Sequence, residues 1–185
     1  MSSCHDVMTP TAPLPTPVPD LAPDLAPGLV LRAAVAEDVP LILAFIRELA
    51  AYEKLLHECV ADEASLRETL FGPHPAAEVL LAVLDGTPVG FALYFTTYST
   101  FLARPGLYLE DIFVRPAARK RGVGSALMIA LARTAVARGY GRFEWSVLDW
   151  NEPALRFYRA LGAVAMDGWT VHRVTGDALA ALAAR

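Results

Sequence analysis

The sequence predicts an α/β or α+β domain built on one sheet, antiparallel at first and then joined through helices, with helices over both faces. Three observations carry that expectation. Apolar runs of strand length recur at residues 79–84, 89–98 and 107–114, the first two separated by an Asp85-Gly86 turn. Segments of helical composition at 37–52 and 126–138 stand before and after them. Between the third run and the second helix lies an arginine-rich glycine loop. With 185 residues and 55% hydrophobic content, the chain suffices for one domain with a sizeable core.

Taken in order, residues 1–28 hold seven of the fourteen prolines, three acids and no Lys or Arg. That composition cannot bury enough apolar surface to offset ordering, so it reads as a disordered tail ahead of a domain at 29–185. It has neither the basic start nor the continuous apolar stretch of a signal peptide, and no run in the chain approaches a membrane span, so a cytoplasmic protein is expected. A strand follows at 29–33, then a helix at 37–52 with Pro40 in its first turn and Leu41, Phe45, Ile46 and Leu49 on one face. Asp62 caps a second helix, which ends at Gly72-Pro73. After the hairpin and the 107–114 strand come a helix running from after Ser125 to near Gly139 and a strand at 143–148. A short helix at 153–161 ends at Gly162, and a last strand at 169–174 precedes an Ala-rich C-terminal helix.

Charge limits the partners. Removing the tail's three acids leaves 20 − 3 = 17 Asp/Glu against 16 Lys/Arg, so the domain is near neutral and nucleic acid is not expected. Cys4 and Cys59 form no disulfide framework and no metal-type spacing, and no metal is expected. Cys59, without a nearby base motif, reads as inert.

The chemistry concentrates at 107–125. Glu110 and Asp111 interrupt an apolar strand, and a paired acid in a buried-looking strand costs free energy unless something uses it. Pro116 stops the strand; Gly122 and Gly124 let the backbone approach a ligand with its N–H groups pointing at it. The positive end of the following helix, with Arg119, Lys120 and Arg121, makes a phosphate site. A Walker loop is excluded, because Ser125 and Ala126 follow the last Gly in place of Lys-Ser/Thr. A dinucleotide fingerprint, which would make the chain an NAD-binding oxidoreductase, finds its G-x-G in Gly122 and Gly124 and an acid in Glu144 about 20 residues on. Against it, Leu127 takes the third Gly position, and residues 115–121 separate the strand from the glycines. An ordinary solvated loop would leave the acid pair unexplained.

Arg119-x-x-Gly122-x-Gly124 resembles the pyrophosphate loop of the GNAT superfamily of N-acetyltransferases. LYLEDIFV at 107–114, WNEPALRFY at 150–158 and Gly168-Trp169 resemble the diamine (spermidine/spermine) N-acetyltransferases within it, over about 29–179. The resemblance implies a mixed, mostly antiparallel GNAT sheet, acetyl-CoA as co-substrate, a homodimer, and a small primary amine as acceptor. A diamine or polyamine is the first expectation, with thialysine or another amino-acid side-chain amine next. A catalytically silent acetyl-CoA-binding module is the alternative of another class. Acetyl-CoA would lie along Ile112, Phe113 and Val114, over Arg119, Lys120, Arg121, Gly122, Val123, Gly124 and Ser125, and against Asn151, Glu152, Pro153 and Tyr158. Asn151 reads equally as a plain helix cap.

Acetyl transfer needs a neutral amine, a stabilised oxyanion and a proton for the departing thiolate. Tyr158 matches the family's acid, and its competing role is a core tyrosine. Glu110 is the candidate base, with Asp111 its alternative; regular alternation would place the two on opposite faces unless a bulge intervenes. A rim salt bridge is the competing role for Glu110. Tyr52 and Glu53 match a polyamine-contacting pair, and Glu144, Trp145 and Ser146 match a strand segment near the substrate. The chain departs from the animal enzymes after Gly162, where only Val164, Ala165, Met166 and Asp167 stand in place of a longer acidic segment.

Overall fold

A computed structural model describes residues 26–185, so the expected tail at 1–28 lies almost wholly outside the described residues. Five strands, β1 (Leu29–Ala33), β2 (Glu78–Leu84), β3 (Thr87–Ser99), β4 (Arg104–Val114) and β5 (Phe143–Trp145), form one sheet in the order β1-β2-β3-β4-β5. All neighbours are antiparallel except β4 and β5, which run parallel. The helices are α1 (Val39–Tyr52), α2 (Glu63–Phe71), α3 (Val123–Ala137), α4 (Glu152–Ala160) and α5 (Gly176–Ala183).

The residues fall into two compact units, one ending at Ser146 and one spanning Val147–Arg185. In the first, Ile42, Phe45 and Leu49 of α1 and Leu70 of α2 pack on Val79, Leu81, Phe91 and Phe113. The alternate residues Leu80, Ala82, Ala92, Leu107 and Leu109 are buried as well, because α3 covers the opposite face of the sheet. Arg138, just after α3, reaches Glu78 with a guanidinium nitrogen 2.7 Å from the carboxylate, and the Tyr94 hydroxyl donates to the same carboxylate at 3.3 Å. On the α1 side the Glu48 carboxylate accepts from Arg115, whose guanidinium also stacks on the Phe45 ring. As expected, Asp62 caps α2, accepting from the Ser65 amide at 2.8 Å.

Several elements depart from the sequence reading; β4, for one, begins at Arg104, three residues before the expected Leu107. Helix α3 begins at Val123, three residues before Ala126, because Gly122 adopts a left-handed backbone (φ 79°) and serves as its N-cap. β5 stops at Trp145, well short of residue 148, since its pairing with β4 ends at Leu109↔Trp145. The strand expected at 169–174 does not form: the segment has no ladder partner among the described residues, and Trp169 and Val171 are 73% and 82% exposed. Strand-like alternation without a neighbouring edge does not make a strand. Among the described residues no helix is long and apolar enough to cross a membrane.

Candidate functional site

The acid pair sits at a break in the sheet. Leu93 pairs with Asp111 and the next β3 residue, Tyr94, pairs with Leu109, so Glu110 is the extra residue of a β-bulge. The bulge removes the alternation that would have set Glu110 and Asp111 strictly apart. Asp111 shares the face of its partner Leu93, which packs against the α1 core. Glu110 is exposed beside it. Beyond Leu109, β4 runs five further residues, 110–114, with no β5 pairing, which opens one backbone edge of that segment.

An open groove of about 380 Å³ lies over Asp111, between the end of α1 and the segment that follows it. Ile46, Leu49 and Ala50 form its apolar floor, while Glu53, Glu58 and Asp111 supply carboxylates and Cys59 lines one wall. Burial, then the charges of Glu110 and Glu53, push the Asp111 carboxyl up to about 6. Burial alone raises Glu53. A cation entering the groove would relieve this repulsion.

The loop after β4 has the form of an anion cradle. Arg115 ends the strand and a 3-10 turn at Pro116–Ala118 follows; Lys120 and Gly122 both take positive φ, 61° and 79°. The first α3 bond runs from the Ala126 amide to the Gly122 carbonyl, 2.9 Å, leaving the amides of Val123, Gly124 and Ser125 without an intrahelical acceptor. A Cβ built on Gly122 meets nothing within 4 Å, so the space beside the cap residue is open. The basic side chains divide their roles. Arg119 braces the loop, its Nε donating to the Val114 carbonyl (2.9 Å) while its guanidinium stacks on Tyr52 (4.9 Å) and Phe113 (5.7 Å). Arg121 reaches Asp85 at 3.3 Å, and Lys120 is exposed. These residues fit the diphosphate of a coenzyme A thioester: open amides at a helix start, positive backbone turns and local cations.

The other expected residues divide between the two units. Ile112 and Val114 are half-buried on β4, while Phe113 is buried in the α1 core, which leaves its backbone alone for a ligand. Tyr52 ends α1 beneath Arg119, and Glu53 follows it into the groove. Glu144 stands 2.7 Å from Arg142, Trp145 packs against Phe143, and Ser146 shares a 2.8 Å hydrogen bond with Tyr108. In the second unit, Asn151 caps α4 by accepting from the Ala154 amide, the structural role open to it from sequence. Glu152 and Pro153 form the first turn of α4, Glu152 lying 3.7 Å from Arg156. Tyr158 is half-buried on the same helix, its ring 5.4 Å from Phe157. The sequence reading missed Glu58 and the apolar groove floor, since their convergence depends on how the chain turns after α1. It also missed the Arg142–Glu144 pair.

The acetyltransferase (GNAT) family model matches residues 44–163. The chain is 38% identical to a thialysine N-epsilon-acetyltransferase of Sus scrofa, covering 85% of this chain and 98% of that protein. It is 34% identical to an L-ornithine N5-acetyltransferase of Arabidopsis thaliana, over 82% of this chain and 86% of the other. Among solved structures, an integron cassette protein of V. cholerae superposes with a TM-score of 0.72 at 26% identity, over 84% of this chain and 98% of that one. The dinucleotide reading falls with these matches, and the seven residues 115–121 between strand and glycines are its structural contradiction.

Proposed function

The chain belongs to the acetyltransferase (GNAT) family and is an N-acetyltransferase, and from that premise we propose that its acceptor is the terminal primary amine of a small molecule carrying a second cationic nitrogen. The observation that carries this reading is the groove, in which Glu53, Glu58 and Asp111 line an apolar floor and, among the described residues, no Lys or Arg joins them. Each carboxylate in a partly dry cleft adds charge-assisted attraction for an ammonium group. Diamines and polyamines fit it first. Diamino acids are the second reading, favoured by the relatives named for thialysine and ornithine.

The acetyltransferases of this family use acetyl-CoA, which supplies the activated acyl group. The amides of Val123, Gly124 and Ser125 would bind its diphosphate, with Lys120 adding charge and Arg119 holding the loop to α1. The open edge of Ile112, Phe113 and Val114 would take the pantetheine arm, and Asn151, Glu152 and Pro153 its thioester end. Asp111 is the base we favour, because it lines the groove and its raised pKa lies near neutrality, where a general base works best. Glu110, exposed at the bulge, draws the ammonium toward it. Tyr158 would give a proton to the departing thiolate.

We read 29–185 as one acetyltransferase domain, because the family match runs across Ser146 and Val147. The homodimer and the cytoplasmic location belong to this proposal and rest on family likeness.

The test is thiol release from acetyl-CoA with matched amines. Acceptors with a second cationic nitrogen should exceed the corresponding monoamines at least tenfold in kcat/KM. Equal rates would refute the acidic-groove reading, and coenzyme A binding with no thiol release from any amine would favour the silent-module alternative.

A further inference from the structure

Glu144 is not a lone acid on its sheet face. Tyr108 pairs with Glu144 and with Phe95, so the three side chains share one face, the face that carries Leu93 and Asp111. Arg142 joins them from just before β5. A Cβ built on Gly106 would lie 2.8 Å from Arg142 Cγ and 2.8 Å from Thr97 Oγ1, so the arginine stem lies flat across Gly106 on that same face. Only a residue without a side chain leaves it room. The guanidinium is then held by the Tyr98 carbonyl, 3.3 Å from one terminal nitrogen.

The contact between Arg142 and Glu144 is close but incomplete. Nε lies 2.7 Å from the Glu144 carboxylate, yet it is buried without an aligned hydrogen-bond partner. Distance makes this an ion pair; Nε itself is out of a ligand's reach, so what Arg142 presents is the exposed remainder of its guanidinium. Both side chains are more than one-third exposed. A cation and an anion are therefore presented side by side on the groove face. Tyr108 precedes Asp111 by three positions, so Glu144 stands on the order of 10 Å along the strand from the groove acid.

Resting on the acceptor reading above and narrowing it to its second class, we propose that Arg142 and Glu144 form the receptor for the zwitterionic head of a diamino acid. Arg142 takes the α-carboxylate and Glu144 the α-ammonium, while the distal amine extends to Asp111. A simple diamine offers Glu144 an ammonium but gives Arg142 nothing to bind. A buried or half-buried donor left without its acceptor discriminates strongly between otherwise identical substrates.

L-ornithine and putrescine differ only by that carboxylate, so their kcat/KM ratio isolates Arg142. In thiol-release assays, Arg142→Gln should lower kcat/KM for L-ornithine about tenfold to a hundredfold and change putrescine less than about threefold. Arg142→Lys should recover part of the ornithine activity, since charge returns without the planar fork. Glu144→Gln should lower both acceptors. An ornithine-to-putrescine ratio that is unmoved in Arg142→Gln, with wild-type circular dichroism, overturns the proposal. If that variant does not fold, an unmoved ratio in Arg142→Lys overturns it instead. A wild type that acetylates only monoamines defeats the acceptor reading and this proposal with it, whereas one that acetylates diamines or polyamines but not L-ornithine, or that uses both with a ratio unmoved by Arg142→Gln, defeats the proposal alone.

Discussion

Replacing Asp111 by Asn should make the protein more stable at neutral pH and leave it little changed in acid. The folded Asp111 carboxyl is pushed up to about 6 from its ordinary 3.8, first by burial and then by Glu110 and Glu53. Between these values the folded chain holds a proton that the unfolded chain has lost, so stability falls as pH rises through the window and levels off above it. The difference, 6 − 3.8, corresponds to about 3 kcal/mol at 1.36 kcal/mol per unit. Asn keeps the shape and removes the charge. The stability difference between Asp111→Asn and wild type should therefore grow from near zero at pH 4 to about 3 kcal/mol at pH 7, roughly 6–12 °C in Tm for a chain of this size. Guanidinium titrations of both proteins at several pH values measure it. Parallel pH profiles would refute the reasoning, because they would mean that Asp111 is as well solvated folded as unfolded. A saturating dication should shrink the difference, since it neutralises the same repulsion from within the groove.

Glu110→Gln and Asp111→Asn separate the two carboxylates by kinetics. Loss of the base should lower kcat by about 10²-fold or more in Asp111→Asn, while Glu110→Gln mainly raises the acceptor KM; the reverse pattern would move the base to Glu110. Tyr158→Phe should reduce kcat on the order of 10²-fold with little change in the acetyl-CoA KM, and an unchanged kcat would return Tyr158 to a packing role. Gly122→Val puts a branched side chain into the open space beside the α3 cap at a left-handed φ, so coenzyme A binding in calorimetry should weaken at least about tenfold. Asp62→Ala removes the cap of α2 and should lower the midpoint of denaturant melts, and an unchanged midpoint would refute the capping role.

Most elements of the fold were legible because local chemistry and tertiary packing agree on them. Pro40 in a first turn, Asp62 ahead of Ser65, and Asp85-Gly86 between two apolar runs each specify an element boundary through one or two backbone groups. Phe45, Leu49, Leu81 and Phe91 then recur at the spacing that buries one face. The failure at 169–174 has the opposite cause: W-T-V-H at 169–172 alternates as a strand does, but a strand is a pairing, and a single segment does not encode its partner. The start of α3 was misjudged because a glycine before a helix reads as a breaker, whereas Gly122 at φ 79° is the cap that begins it.

The candidate site divides along the same line. The anion cradle is local, contained within 115–126, so its glycines and basic residues were readable in a row. The acceptor groove is not local. It gathers Ile46, Glu53, Glu58 and Asp111 from α1, the segment after it and β4, and their approach depends on which face of β4 each acid occupies. Strand alternation gives one answer and a bulge another, and the sequence LYLEDIFV is compatible with both. The bulge is visible only in the register, where Tyr94 and Leu93 take Leu109 and Asp111 and pass over Glu110. That one unpaired residue has two effects on chemistry. It turns Asp111 toward the groove beside Glu53, and it coincides with the end of β5 pairing, so the backbone edge of 110–114 opens where an acyl carrier would lie. Regular pairing of the unaltered sequence would set Glu110 opposite Leu93 and carry Asp111 to the α3 face, whereas deleting Glu110 leaves Asp111 opposite Leu93. The deletion should therefore keep the groove acid and its kcat while raising the acceptor KM, and loss of kcat to the level of Asp111→Asn would refute the bulge reading.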